Sequence, residues 1–237
     1  MLRPLLDAIH RAFRRSAAAA SYTRQGGSKH LPFFKLTEAC ESDRCPICRL
    51  RQDALAGYLD ALVYQGVNDR GFRAEFDRNG GFCSSHEHAF LAKQDRLAVV
   101  ITHRQLLLQL IDDIGTPHRR RCQICSVLSE AEAQHLKTLA GYLDDAELRR
   151  YLERSAGLCV PHYRKLARIR PDLPGWLNEM QRLRLLEAVK AVDEYITESN
   201  YSISGESSRL SAPHLRNLPE RLVGLIAGYS PDRDESV

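Results

Sequence analysis

The sequence lacks several features that would identify a membrane protein, a secreted protein or an enzyme. No apolar run approaches the roughly 18 residues of a membrane-spanning helix. The basic N-terminal segment has only the four alanines at 17–20 as its apolar run, far fewer than the roughly 7–15 residues of a secretory signal. No glycine-rich phosphate or dinucleotide loop, nucleophile elbow or H-E-x-x-H motif occurs. These absences predict a cytoplasmic protein with no membrane span and argue against an enzyme.

The composition is that of a globular protein, but its charge is unevenly distributed. Hydrophobic residues make up 43% and charged residues 27%, with a net charge of +4. Residues 1–36 contain seven basic residues and one acidic residue, and residues 118–170 contain eleven basic and six acidic residues. The remaining segments are acidic. This distribution argues against general coating of nucleic acid, while it leaves room for a local basic surface.

Six of the seven cysteines and two histidines form two copies of one pattern. Each copy is a C-x2-C pair followed by C-x2-H after 34 or 33 intervening residues. Three thiolates and one imidazole make a closed tetrahedral zinc site, which leaves no open position for catalysis. In a reducing compartment such cysteines favour metal binding over disulfides. The pattern predicts two zinc ions per chain, bound by Cys45, Cys48, Cys83 and His86 and by Cys122, Cys125, Cys159 and His162.

Several alternatives to these two sites remain open at this point. The Cys pair of one copy could bind with the C-x2-H of the other, and an iron–sulfur cluster is the second choice for the cofactor. Cys40 is interpreted as a free thiol in a loop near solvent, as a further sulfur for the first site, or as a redox switch. His88 is an alternative donor to His86.

The two ligand sets belong to a longer internal repeat. Residues 45–62 align with 122–139 at an offset of 77, and residues 69–86 align with 145–162 at an offset of 76. Apolar positions match apolar positions, which indicates a duplicated fold unit. We therefore predict an all-α protein in which duplicated helical zinc-knuckle units form a helical bundle with a long C-terminal helix. The predicted segments are an arm and linker (1–30), a first repeat (31–117), a second repeat (118–171) and a C-terminal helical segment packing on the repeats (172–237).

Apolar spacing and capping residues predict the individual helices. Leu55, Leu59 and Leu62 recur at helical spacing, and Asn68-Asp69 is suited to cap a second short helix that ends at Gly80-Gly81. The second repeat has the same signals, with Asp144-Asp145 as its cap. Each C-x2-H should open a helix, so that its two ligands share one face. One longer helix is predicted over 86–114, another over about 173–198, a loop over 200–213 and a short amphipathic helix over 215–226.

The N-terminal arm and a run of arginines carry the basic charge. Leu2, Leu5, Leu6, Ile9 and Phe13 have helical spacing and lie among arginines. This arm is interpreted as a docked helix or a disordered tail, as an interfacial helix that binds anionic lipid or a partner, or as a transit-like segment. The run at 119–121 is a solvated flank or a phosphate-binding patch, although no aromatic residues interleave with it.

One further pattern is similar to that of a known family. The order C-P-x-C-R-L at 45–50, Tyr-Leu at 58–59, V-N-D at 67–69 and G-F-C-x-x-H at 81–86 resembles a prokaryotic domain-of-unknown-function family. Glu194-Tyr195, Asn200-Tyr201 and the stretch 221–224 resemble the same family's C-terminal part. The resemblance covers about residues 31–227 and implies a helical metal-knuckle protein with no established activity.

These observations together predict a zinc-stapled helical interaction or regulatory protein that is not an enzyme. A protein partner is the first expectation. The alternatives are a nucleic-acid-binding regulator that uses the arm and the basic second repeat, and an iron–sulfur or redox-responsive sensor. The oligomeric state cannot be read from the sequence.

Overall fold

The computed structural model describes residues 29–115, 122–203, 215 and 217–229, and these residues are helical with no strand. The prediction of an all-α protein is therefore confirmed. The described helices are α1 (Leu31–Ala39), α2 (Pro46–Tyr64), a 3-10 turn (Gly66–Asn68), α3 (Arg70–Asn79), α4 (Ser84–Ala92), α5 (Arg96–Asp113), α6 (Gln123–Tyr142), α7 (Ala146–Arg154), α8 (Val160–Ile169), α9 (Gly175–Ile203) and α10 (Leu218–Ala227). None of them is long and apolar enough to cross a membrane.

The order of helices is consistent with the predicted repeat. The helices α2 to α5 follow one another in the same order as α6 to α9, and α2 and α6 contain 19 and 20 residues. The short helices α3 and α7 contain 10 and 9 residues. The duplication of the fold unit itself and the predicted segment boundaries stay predictions. The arm, the arginines at 119–121 and most of the predicted loop at 200–213 lie outside the described residues.

The capping residues predicted from the sequence begin and end the short helices. The Asp69 carboxylate accepts a hydrogen bond from the Phe72 amide at 2.6 Å, so it caps α3. Gly80 follows α3 with φ of +69°, the left-handed conformation that favours glycine. The Asp145 carboxylate accepts from the Glu147 and Leu148 amides at 2.9 and 3.0 Å and caps α7. Side-chain capping of this kind satisfies amides that have no partner within the helix.

The single helix predicted over residues 86–114 is wrong. The structure has two helices there, α4 and α5, separated by residues 93–95. Gln94 has φ of +61°, which a continuous helix does not allow. Asp95 then begins α5, because its carboxylate accepts from the Ala98 amide at 2.9 Å. The turn residues 93–95 are polar, but no glycine or proline marks the turn, and for that reason the sequence did not reveal the break.

The chain divides into two compact units, and the division falls within α2 and α6. Among the described residues, one unit contains 29–47 and 135–229, and the other contains 48–115 and 122–134. In the first unit α1 packs against α7, and Phe33 meets Tyr142 edge to face at 4.9 Å between ring centroids. Arg170, whose side chain is 2% exposed, donates to both carboxylate oxygens of Asp144 at 2.8 and 2.9 Å.

The core of the other unit is built from aliphatic and aromatic side chains. Phe82 lies at its centre, with its ring 4.9 Å from Phe76 and 6.1 Å from Phe90. The buried members of this core are Leu55, Leu59, Leu62, Val67, Phe76, Phe82, Phe90, Ala98, Cys122, Ile124 and Leu128. Phe82 directly precedes Cys83, so the core anchors the loop that carries one of the predicted ligands.

Candidate metal centres

The eight predicted ligands lie in two groups of four. One group contains Cys45, Cys48, Cys159 and His162, and the other contains Cys83, His86, Cys122 and Cys125. Within each group one ligand atom from every residue lies within 4.8 Å of the others. We call them the first and second cluster. Each cluster offers three sulfurs and one imidazole nitrogen, the donor set predicted from the sequence.

The predicted grouping, in which each site takes all four ligands from one repeat, is wrong. The Cys pair at 45 and 48 lies with the C-x2-H of the second repeat, and the Cys pair at 122 and 125 lies with the C-x2-H of the first. This is the exchanged arrangement that the sequence left open. The two repeats have nearly the same internal spacing, so spacing alone could not distinguish the two pairings.

The first cluster is enclosed by protein. Cys45 and Cys159 are 2% exposed, and Cys48 and His162 are 3% exposed. The His162 Nδ1 lies 3.1 Å from the Cys159 sulfur and 3.4 Å from the Cys45 sulfur. Cys48 lies on the first turn of α2.

The second cluster has the same geometry but is open to solvent on one side. The His86 Nδ1 lies 3.1, 3.3 and 3.4 Å from the sulfurs of Cys83, Cys122 and Cys125. The Cys83 and Cys125 sulfurs are 3.7 Å apart, which excludes a disulfide, since that bond is about 2.05 Å long. His86 and Cys122 are buried, Cys83 is half-buried and Cys125 is exposed.

Helix starts position the ligands. Cys83 and Cys159 directly precede α4 and α8, and each makes no side-chain capping bond, so its sulfur is available to the cluster. The histidine three residues later then lies on the first turn of the helix, next to the sulfur. Pro161 lies in the first turn of α8, where its missing amide hydrogen costs nothing. The prediction that each C-x2-H opens a helix is confirmed.

Two polar side chains that the sequence analysis missed hold the loops before Cys83 and Cys159. Glu87 accepts the Phe82 amide at 2.7 Å. Gln181, from α9, accepts the Leu158 amide at 3.2 Å and donates to the Leu158 carbonyl at 2.6 Å. Gln181 is only 5% exposed. Each loop is thus fixed by a side chain that binds no metal.

His103 supports Glu87 in turn. The His103 Nε2 lies 3.0 Å from a Glu87 carboxylate oxygen, and its Nδ1 lies 2.8 Å from the Val99 carbonyl. Both nitrogens face acceptors, so the doubly protonated ring satisfies the two contacts best. The hydrogen bond to Glu87 raises the pKa of His103, opposed by burial and assisted by the Val99 carbonyl. The protonated form of His103 is therefore favoured next to the carboxylate that positions the Cys83 loop.

The thiol of Cys125 in the second cluster does not ionise easily without a cation. Partial burial, followed by the neighbouring sulfurs of Cys122 and Cys83, raises the pKa of Cys125 to about 12. A bound metal ion reverses this, because thiolates bind it and release their protons. The geometry and the chemistry of the donors both fit a metal ion.

Cys40 belongs to neither cluster. It is 3% exposed, so the prediction of a thiol near solvent is wrong. Burial, with smaller effects from Cys45 and Glu41, raises the pKa of Cys40 to about 12. His88, the alternative donor, is exposed and also lies outside both clusters.

The described residues thus define an all-α protein with two clusters of metal-ligand type. Residues 29–119 match the model of a family of unknown function (DUF6062). This match confirms the resemblance to a domain-of-unknown-function family, and the resemblance of the C-terminal part stays a prediction. The matched stretch contains Cys45, Cys48, Cys83 and His86 and stops before Cys122.

A curated relative supports the same assignment. The chain is 33% identical over 72 residues to an uncharacterized 23.9 kDa protein in the xynA 3' region of Caldicellulosiruptor sp. (strain Rt8B.4). That alignment covers 30% of this chain and 35% of the relative, so it spans about a third of the relative's length. No solved structure shows significant similarity to the chain.

Proposed function

We propose that this protein is a zinc-stapled helical interaction module without catalytic activity. The observation that carries the proposal is the pair of clusters, each with three sulfurs and one imidazole nitrogen within 4.8 Å of one another. Four protein donors complete a tetrahedral site and leave no position for a substrate or water. In this proposal the eight ligands join the first turns of several helices through zinc. The metal ions then supply stability that a larger hydrophobic core would otherwise provide.

The distances within the clusters favour zinc over an iron–sulfur cluster. In a zinc tetrahedron with bonds of about 2.3 Å to sulfur and 2.0–2.1 Å to nitrogen, two sulfurs lie about 3.8 Å apart, and sulfur and nitrogen about 3.6 Å apart. The corresponding distances here are 3.7 Å for the sulfurs and 3.1–3.4 Å to the histidine nitrogen. An iron–sulfur cluster distributes its ligands over several irons, so they lie farther apart. The close spacing supports a single ion in each cluster.

The outer face of α5 supports a protein partner. Leu97, Val100, Leu107, Ile111 and Ile114 recur at alternating intervals of three, four and seven residues, and they are 61–85% exposed. Arg104 occupies the remaining position of this stripe. The opposite face of α5 packs against α3 and α4 through buried Ala98 and Thr102. Such heptad spacing suits an amphipathic helix of another protein, with an acidic residue opposite Arg104.

The other predicted functions gain less support. The arginines at 119–121, on which the nucleic-acid alternative depends, lie outside the described residues. Six of the seven cysteines lie in clusters of metal-ligand type, which suits a reducing compartment such as the cytoplasm. We therefore retain the interaction module in the cytoplasm as the proposal.

Metal analysis of protein purified without oxygen tests the proposal directly. We expect two zinc ions per chain by elemental mass spectrometry, with no visible absorbance. Replacing His162 or His86 with alanine should remove one zinc each, because the two clusters share no ligand. Iron with acid-labile sulfide and a brown colour, or protein with no bound metal, would contradict the proposal.

A further inference from the structure

The two clusters have the same donors but differ in how far solvent reaches them. Cys45, Cys48 and Cys159 are at most 3% exposed, whereas Cys125 is exposed and Cys83 is half-buried. Cys48 and Cys125 occupy equivalent positions in the predicted repeats, three residues after the first cysteine of each pair. The chain therefore contains an enclosed cluster and an open one. The reactivity of one cluster can be compared with that of the other in the same molecule.

The C-terminal segment contributes to the enclosure of the first cluster. Helix α10 packs against α8, which carries His162. A Cβ placed on Gly228 would lie 3.8 Å from the Cys159 sulfur, so the backbone after α10 passes directly over that ligand. Tyr229 follows, with its ring 5.4 Å from the Arg44 guanidinium, next to Cys45.

The two accessible ligands of the second cluster are also neighbours. The Cys83 and Cys125 sulfurs lie 3.7 Å apart, and a shift of less than 2 Å would bring them to the disulfide length of about 2.05 Å. We propose that the second cluster is a peroxide-sensitive switch, in which oxidation joins Cys83 to Cys125 and releases the zinc ion. The first cluster keeps its ion under the same conditions. This inference rests on the proposed function, because it requires that both clusters bind zinc.

The oxidation balances with a peroxide as the only oxidant. The Cys125 thiolate attacks one peroxide oxygen, the O–O bond breaks, and a sulfenic acid forms on Cys125 while the other oxygen leaves as water after protonation. The Cys83 thiolate then attacks the Cys125 sulfur and displaces the second oxygen, which also leaves as water. Two thiolates lose two electrons in total, hydrogen peroxide gains them, and two protons are consumed. His86 and Cys122 alone remain as ligands, too few for a structural zinc site.

Cys40 does not suit this role, although the sequence suggested it as a redox switch. It is 3% exposed and belongs to neither cluster. Oxidant must reach the reacting sulfur, and reactive cysteines are accessible ones. The structure thus favours Cys125 over Cys40 as the thiol that responds to oxidant.

The experiment treats the zinc-loaded full chain with one equivalent of hydrogen peroxide. Zinc release is followed with a chromophoric chelator, and disulfides are mapped by mass spectrometry of peptides alkylated before digestion. We expect one of the two zinc ions to be released, together with a Cys83–Cys125 disulfide, while the second ion stays bound. Release of both ions at the same rate, prior release from the first cluster, or oxidation without this disulfide would overturn the inference and leave the proposed function intact. A chain that contains no zinc before peroxide is added contradicts both.

Two matched variants separate the reactivity of the Cys125 thiol towards peroxide from the effect of the substitution on folding. Cys125→His keeps four donors in the second cluster, since Cys2His2 also binds structural zinc, but it removes the accessible thiol. We expect this variant to retain both zinc ions in peroxide. Cys48→His makes the same change at the equivalent position of the enclosed cluster, and it should release one ion as the natural chain does. An equal response from the two variants would contradict the role of Cys125.

Discussion

Gly81 shows how a single residue controls the approach of the chain to the second cluster. Its φ is +85°, and a Cβ built there would lie 2.8 Å from a Glu87 carboxylate oxygen and 3.1 Å from Leu106. The same carboxylate oxygen accepts the Phe82 amide. An alanine at this position would therefore be strained in its backbone and would displace the side chain that fixes the loop before Cys83.

We predict that Gly81→Ala lowers the free energy of unfolding of the zinc-loaded protein by about 1–3 kcal/mol, from the left-handed backbone and the lost hydrogen bond. Gly57→Ala is the control, because Gly57 lies within α2 with nothing within 4 Å of its Cβ position. That change should raise stability by roughly 0.5–1 kcal/mol, as in other helix interiors. Chemical denaturation measures both, and two changes of the same sign would disprove the assignment of Gly81.

For single residues, the sequence predicts those roles that depend only on neighbouring positions in the chain. Asp69, Asp145 and Gly80 were identified as capping residues because a cap acts on the adjacent helix turn. The identities of the eight ligands were visible for the same reason, whereas their metal binding stays a prediction. The pairing of the clusters and the supporting roles of Glu87 and Gln181 were not visible. They depend on contacts between segments, and Gln181 lies 23 residues from the loop that it holds.

Among the helices, α5 stands out because both of its faces are apolar. A helix that is apolar all round is normally buried, yet Leu107 is 61% exposed and Ile111 is 76% exposed. These side chains contribute little to the folded state of the described chain. The proposed role in binding a partner helix gives them a reason to be apolar.

Substitution of the stripe should therefore separate binding from stability. We expect Leu107→Gln with Ile111→Gln to change the free energy of unfolding by no more than about 0.5 kcal/mol, as for other exposed sites, and to abolish capture of a partner protein from cells. Val189→Gln is the control, because Val189 on α9 is 56% exposed but lies outside the stripe. A large loss of stability in the double variant would show that the stripe belongs to the core.

The same helix illustrates the limit of periodicity. The spacing of apolar residues predicted the existence of α2, α3, α7 and α9. It failed between α4 and α5, where the turn at 93–95 consists of polar residues but contains no glycine or proline. The capping carboxylate of Asp95 marks that boundary, and a lone aspartate among other polar residues is a weak signal.

For the molecule as a whole, metal removal is the most informative perturbation. Structural zinc contributes about 10–16 kcal/mol to the folding of zinc-finger peptides, whereas the net stability of a domain is only about 5–15 kcal/mol. Loss of both ions should therefore exceed what the packed helices can offset. Without metal, the raised pKa of Cys125 leaves its thiol protonated at neutral pH.

We predict that a strong zinc chelator abolishes most of the helical circular dichroism signal and that added zinc restores it. Chelator premixed with excess zinc is the control and should have no effect. A chain that stays fully helical after complete metal removal would show that the clusters do not maintain the fold.

The exchanged pairing also sets an order for biosynthesis. Along the chain, both halves of the second cluster lie between the two halves of the first, so in the proposed zinc-bound protein one loop closed by metal is nested within the other. His86 and Cys122 are 36 residues apart, whereas Cys48 and Cys159 are 111 residues apart. Closing the outer loop costs about 1 kcal/mol more in chain entropy. On the ribosome, the inner site is complete once Cys125 has emerged, while Cys45 and Cys48 must wait as open thiols until His162 is synthesised.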